Sequence, residues 1–119
     1  MRLEYEDYGQ VVVVTPMDPR LDASIAQDFR DAAIEMVQPK HSICALDLSH
    51  VTFVDSTGIG AMIALMNRLG RDRRLEICGP APMVRKVFRM TRLDTVFNIH
   101  DSLAPVLAGA GDAPDAAAI

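Results

Sequence analysis

The stretch VTFVDSTGIGAMIALMN, Val51 to Asn67, decides how the rest of the chain is read. A short apolar, strand-like run breaks at Asp55-Ser56-Thr57-Gly58 and gives way to a helical segment that stays apolar through Met66. A hydroxyl beside a carboxylate at a helix N-terminus sits where backbone N–H groups are unsatisfied and the dipole favours negative charge, so a phosphate attached there is well placed. The same residues also suit a plain N-cap, a position that Asp and Ser favour. Gly58 and Gly60 are more than a cap needs, since each costs up to about 1 kcal/mol relative to alanine inside a helix. Their presence in the first turn predicts that a neighbouring strand or a partner comes close to this backbone.

Along the predicted helix, Ile59, Met62, Ile63, Leu65, Met66 and Leu69 fall on one broad arc, with Gly60, Ala61, Ala64 and Arg68 on the other side. The arc fits a core. The opposite face, almost free of side-chain bulk, fits either solvent or a closely approaching partner.

Working outward towards the C-terminus, Gly70 and Arg71-Asp72-Arg73-Arg74 form a turn, Leu75 to Cys78 a strand, and residues 82–91 a helix with Val84, Val87 and Phe88 inward. Arg85, Arg89 and Arg92 share its outer side, as a solvated face or a contact surface. Thr95 to Ile99 is expected as the last strand, followed by a short helix capped by Asp101 or Ser102, with Pro105 in its first turn. Towards the N-terminus, Ser42 to Leu48 is a strand, and Asp22 is expected to cap a helix over 23–37 with the stripe Ile25, Phe29, Ala32 and Met36. Residues 2–6 and 10–16 form a hairpin turning at Asp7-Tyr8-Gly9, and the run Val11 to Val14 predicts a strand covered on both faces.

This order predicts an α/β fold: one domain over residues 1–108, a mainly parallel sheet with an antiparallel N-terminal edge strand, about four helices, and a disordered tail over 109–119. Functional groups in such sheets gather beyond the carboxyl ends of the strands. Asp22, Asp47, Asp55 and Ser56 all fall at or near such ends.

Composition narrows the function. The formal charge of −4 argues against direct nucleic-acid binding, and no apolar run approaches the ~20 residues of a membrane-spanning helix. Cys44 and Cys78 lie in predicted buried strands without metal-type spacing, as core hydrophobes of a reducing compartment. A cytoplasmic protein without metal or cofactor is expected. Asp55 precedes Ser56 and Val54 stands where a G-x-S-x-G elbow needs glycine, so a hydrolase is not indicated. Ile63 occupies the third glycine position of G-x-G-x-x-G, which removes a dinucleotide site. A receiver-like aspartyl phosphoacceptor lacks its adjacent acidic pair and its lysine.

The segment ALDLSHVTFVDSTGIGAM, preceded by PRLDAS and followed by LEICGPAPMVRKVFRMTRLDTVF, resembles the STAS-domain anti-sigma factor antagonists over about residues 10–107. The resemblance implies a partner switch. In that family the serine after the aspartate is phosphorylated by an anti-sigma factor that is a serine kinase of the histidine-kinase-like ATPase fold. The unmodified antagonist captures the kinase and frees the sigma factor, and a PP2C-type phosphatase resets it. Carried onto this chain, Ser56 is the phosphoacceptor, and the partner face comprises Asp22, Asp55, Ser56, Thr57, Gly58, Ile59, Gly60, Ala61 and Ala64. Pro19 and Arg92 stand where the family often has glycine. A STAS subunit of a non-sigma switch, or of an ABC lipid-transport complex, is the alternative that the same resemblance allows.

Overall fold

The computed structural model of the chain describes residues 1–109, and the expected tail lies outside them except for Gly109. In chain order the elements are β1 (Leu3–Tyr8), β2 (Val11–Pro16), β3 (Arg20–Leu21), α1 (Ala26–Met36), β4 (Ile43–Asp47), β5 (Phe53–Val54), α2 (Ser56–Leu69), β6 (Arg74–Cys78), α3 (Pro82–Met90) and β7 (Asn98–His100). A 3-10 turn, Leu93–Thr95, precedes β7, and a last helix, α4, runs over 104–109.

Five strands form one sheet in the order β1-β2-β4-β6-β7. Only β1 is antiparallel; β2, β4, β6 and β7 pair in parallel, with Val12 opposite Cys44, Cys44 opposite Leu75 and Ile77 opposite Ile99. The α/β architecture and its antiparallel edge strand are therefore as the alternation of elements predicts. The valine run behaves as expected too: Val12 and Val14 pack with Phe29, Met62, Leu65 and Phe88 under α1, α2 and α3, whereas Val11 and Val13 pack on the other face with Ala45 and Val106 of α4. Cys44 and Cys78 are buried free thiols, and desolvation pushes both up to about 12.

Three boundaries differ from expectation. The hairpin turns on Gly9-Gln10, because Gly9 adopts φ +80°, which suits a two-residue connection and lets β1 continue to Tyr8. Helix α1 starts at Ala26, with Ile25 at its cap position and no side-chain cap bond, because the Asp22 carboxylate turns back onto the Ser24 N–H and hydroxyl instead. Its buried residues are consequently Ala26, Phe29 and Ala33. The last strand starts at Asn98, since Leu93–Thr95 wind into the 3-10 turn.

A second, two-stranded parallel sheet was not foreseen. It pairs β3 with β5, Arg20 opposite Phe53 and Leu21 opposite Val54. Pro19 O accepts Thr52 N–H (2.8 Å), Phe53 N–H (3.2 Å) and the Thr52 hydroxyl (3.1 Å), joining loops more than 30 residues apart in sequence.

Candidate functional site at the start of α2

The small sheet positions the site. Because Leu21 lies opposite Val54 in a parallel pair, Asp22 and Asp55 leave the sheet side by side, each ahead of a helix on the same layer. Asp55 is the N-cap of α2: its Oδ1 accepts Thr57 N–H (2.9 Å) and Gly58 N–H (3.1 Å). Its Oδ2 accepts Ala23 N–H (3.3 Å), tying the start of α2 to the turn that precedes α1. The Thr57 hydroxyl, donating to Asp55 Oδ1, is the main reason the Asp55 carboxyl lies below its ordinary range, with the Gly58, Thr57 and Ala23 N–H groups adding to it.

With Asp55 as the cap, Ser56 is left free of that task. Ser56 is the first residue of α2, exposed, and its hydroxyl enters no side-chain hydrogen bond among the described residues. Thr57 is exposed as well, but its hydroxyl is committed to Asp55. The two adjacent hydroxyls thus differ in availability.

The two glycines also separate. A Cβ on Gly58 would lie 2.2 Å from the Leu21 carbonyl oxygen, so glycine is what lets α2 approach β3. A Cβ on Gly60 would meet nothing within 4 Å. Packing within the chain accounts for the first and leaves the second unexplained. Gly60 lies on a shallow groove of about 290 Å³ between α1 and α2, which Ala23, Gln27, Arg30, Thr57 and Ala61 also line.

The outward face of α2 is rotated from the predicted one. Gly58 and Ala61, expected among the partner-facing residues, are buried together with Met62, Leu65 and Leu69, while Ile59, Ile63, Ala64 and Met66 are half-buried. Gly58 sits where α2 comes closest to β3, so the buried arc extends over it and Ala61 beside Met62, Leu65 and Leu69. Ser56, Thr57 and Gly60 remain exposed, and Ile59 and Ala64 form the flanks.

Asp22 is held by Ser24, and its pairing with Arg20 (3.2 Å) is the second cause of a lowered carboxyl pKa after the Ser24 hydroxyl. The Arg20 guanidinium in turn lies 4.1 Å over the Phe53 ring, a cation–π contact that closes this edge. Sequence reasoning missed Arg20 and Phe53, whose relation exists only through the two-residue strands, and it also missed Gln27 and Arg30. Asp47 does not join the group: its Oδ1 accepts the N–H of Ser49 in its own turn (3.0 Å). Among the described residues no set of three His, Cys, Asp or Glu side chains gathers to hold a metal ion, and no helix is long and apolar enough to cross a membrane.

The STAS domain family model matches residues 2–105. The chain belongs to the STAS domain family. Among similar proteins, the anti-sigma-F factor antagonist RsfB of Mycobacterium tuberculosis is 24% identical over 98 residues, which are 82% of this STAS chain and 80% of RsfB. An anti-sigma factor antagonist from Mycobacterium paratuberculosis has the same fold with a TM-score of 0.81 at 25% identity, over 91% of this chain and 92% of that one. The unphosphorylated form of the anti-sigma factor antagonist SpoIIAA matches in fold, with a TM-score of 0.74 at 21% identity over 92% and 97% of the two chains.

Proposed function

We propose that this STAS domain is an anti-sigma factor antagonist working as a phosphorylation-controlled partner switch. In its unphosphorylated form it captures an anti-sigma factor that is a serine kinase of the histidine-kinase-like ATPase fold, and the sigma factor is released. Phosphorylation of Ser56 ends the capture, and a PP2C-type phosphatase restores it. The observation that carries this reading is the free, exposed Ser56 hydroxyl at the first position of α2, beside a cap already filled by Asp55. The names of the similar proteins as antagonists, and of SpoIIAA as a protein solved in an unphosphorylated form, support it.

The physics of the switch is electrostatic. A phosphoserine adds about −1.5 to −2 charges at pH 7. At the N-terminus of α2 that charge meets the positive end of the dipole, so the fold tolerates it. Against a docked partner the same charge, next to the Asp55 carboxylate, must lose its water without a counter-charge, and the complex dissociates. The partner face comprises the exposed Ser56, Thr57 and Gly60 with the flanking Asp22, Asp55, Ile59 and Ala64; Gly58 and Ala61 serve it from beneath by close packing.

Incubation with the cognate kinase and ATP, followed by phosphosite mapping, is expected to place phosphate on Ser56 alone. Ser56→Ala should hold the kinase whether or not ATP is present, and Ser56→Asp should bind it at least tenfold more weakly while melting near the parent temperature. Phosphate on Thr57, or parent-like binding by Ser56→Asp, contradicts the proposal.

A further inference from the structure

Helix α3 carries Arg85, Lys86 and Arg89 with no acid, and Arg92 follows it. Its inward residues, Val84 and Phe88, are fully buried, yet Met83 and Met90 are 58% and 74% exposed. Met83, Lys86 and Met90, spaced i, i+3 and i+7, share one outward stripe, and Arg89 lies beside it. Arg85 is committed to Asp101 (2.8 Å). Lys86, Arg89 and Arg92 enter no ion pair among the described residues. Along the chain, residues 82–95 carry four cations and one acid, Asp94, a net charge of +3 on a chain of −4, which leaves −7 elsewhere, the Asp101 partner of Arg85 included.

Arg92 adds an independent sign. It is the one non-glycine residue with positive φ among those described (φ 61°, ψ 20°), at the position after a helix where glycine is the low-cost choice. A cation therefore stands at a position whose backbone favours glycine.

We propose that the outward face of α3 is a docking surface for an acidic, apolar-anchored segment of a partner protein, distinct from the Ser56 face. The unpaired cations call for carboxylates. The exposed methionines, the most adaptable of apolar side chains, call for aliphatic anchors about 10 Å apart, two turns of a helix. An anionic bilayer suits the face less well: only two apolar residues point outward, and the remaining −7 of the chain is repelled by such a surface.

The test uses the full chain, ¹⁵N-labelled, and a synthetic helical peptide with leucines spaced i, i+3 and i+7 among glutamates. Amide shifts should change at Met83, Lys86, Arg89, Met90 and Arg92, and binding should weaken with added salt. The Lys86→Glu, Arg89→Glu double variant should lose about tenfold in affinity, and Met83→Ala with Met90→Ala about threefold, all without loss of Tm. Ser56→Asp should bind the peptide as the parent does, so failure here is separable from failure of the phosphorylation switch. Equal binding of a lysine-for-glutamate peptide, shifts confined to α1 or α2, or stronger binding to phosphatidylserine vesicles overturns the inference. So does a concentration-dependent shift of the same residues without peptide, which assigns the face to self-association.

Discussion

Helices α1 and α2 begin at the same end of the same small sheet, each announced by an aspartate one residue beyond a two-residue strand, yet the two aspartates do different work. Asp55 sits directly at the cap and satisfies two helix N–H groups while its second oxygen reaches Ala23. Asp22 spends its carboxylate on the Ser24 hydroxyl and N–H, and three residues of turn separate it from α1. One start is rigid and leaves a hydroxyl over; the other is a turn held from outside by the first. A surface that must present a single serine in fixed register is better built on the former, and Gly58 is what brings the two starts together.

The largest expected effect therefore belongs to Gly58. Gly58→Ala drives a Cβ to within 2.2 Å of the Leu21 carbonyl oxygen, a backbone atom that cannot rotate away. Its cost should reach or pass about 3 kcal/mol, the upper end for overpacking. Gly60→Ala, two residues on and facing open space, should instead raise stability by up to about 1 kcal/mol through helix propensity. Urea titration of both variants decides the matter. If the two cost the same, the close approach of α2 to β3 is not what the first glycine serves.

The second contrast is between the aspartates themselves. Asp55→Ala removes a filled cap and the link to Ala23 and should lower Tm by about 5 °C. Asp22→Ala removes a turn bond and an exposed pairing with Arg20 and should lower it by no more than about 2 °C. Calorimetry on the pair checks the ranking, and equal losses would mean that the turn before α1 is as much a part of the scaffold as the cap.

These differences also mark where a sequence stops being informative. Val11 to Val14 and the passage from Val54 into Met66 each carry a pattern long enough to name strand and helix, and so the parallel sheet and α2 were legible. Strand β3 is two residues long, too short for any period, and the strand-like run ending at Val54 carries no sign of its partner, so the pairing of β3 with β5, and with it Arg20 over Phe53 and the adjacency of Asp22 and Asp55, was hidden. An aspartate before a helix reads alike whether it caps the helix or heads a turn, which is why α1 was begun too early. Hydrophobicity assigned the face of α2 to its large side chains, whereas Gly58 and Ala61 are buried with Met62, Leu65 and Leu69, and the closest approach to β3 is at Gly58. The outer face of α3 was legible only as a stripe of arginines. Its exposed methionines, and the left-handed backbone of Arg92, needed coordinates.

The smallest effect expected is on acid stability, and its sign follows from the direction of the shifts. The Asp22 and Asp55 carboxyls are both held below the ordinary 3.8 in the folded chain, and Asp7, bonded chiefly to Lys40 and then to Gly9 N–H, falls to about 2. A carboxyl with a lowered folded pKa stabilises the fold fully above its unfolded pKa, and that contribution is lost as pH falls through the folded value. Tm should accordingly hold from neutral pH down to about 4 and decline between there and about 2. Asp55→Asn separates the cap from its charge: asparagine caps as well as aspartate does, so Tm near neutrality should change little, but the acid decline should become shallower. Asp22→Asn should flatten the curve too while leaving the start of α2 intact. If neither amide alters the slope, hydrogen bonding to these carboxylates is not coupled to folding, and the charge beside Ser56 is set by solvent instead of by the cap.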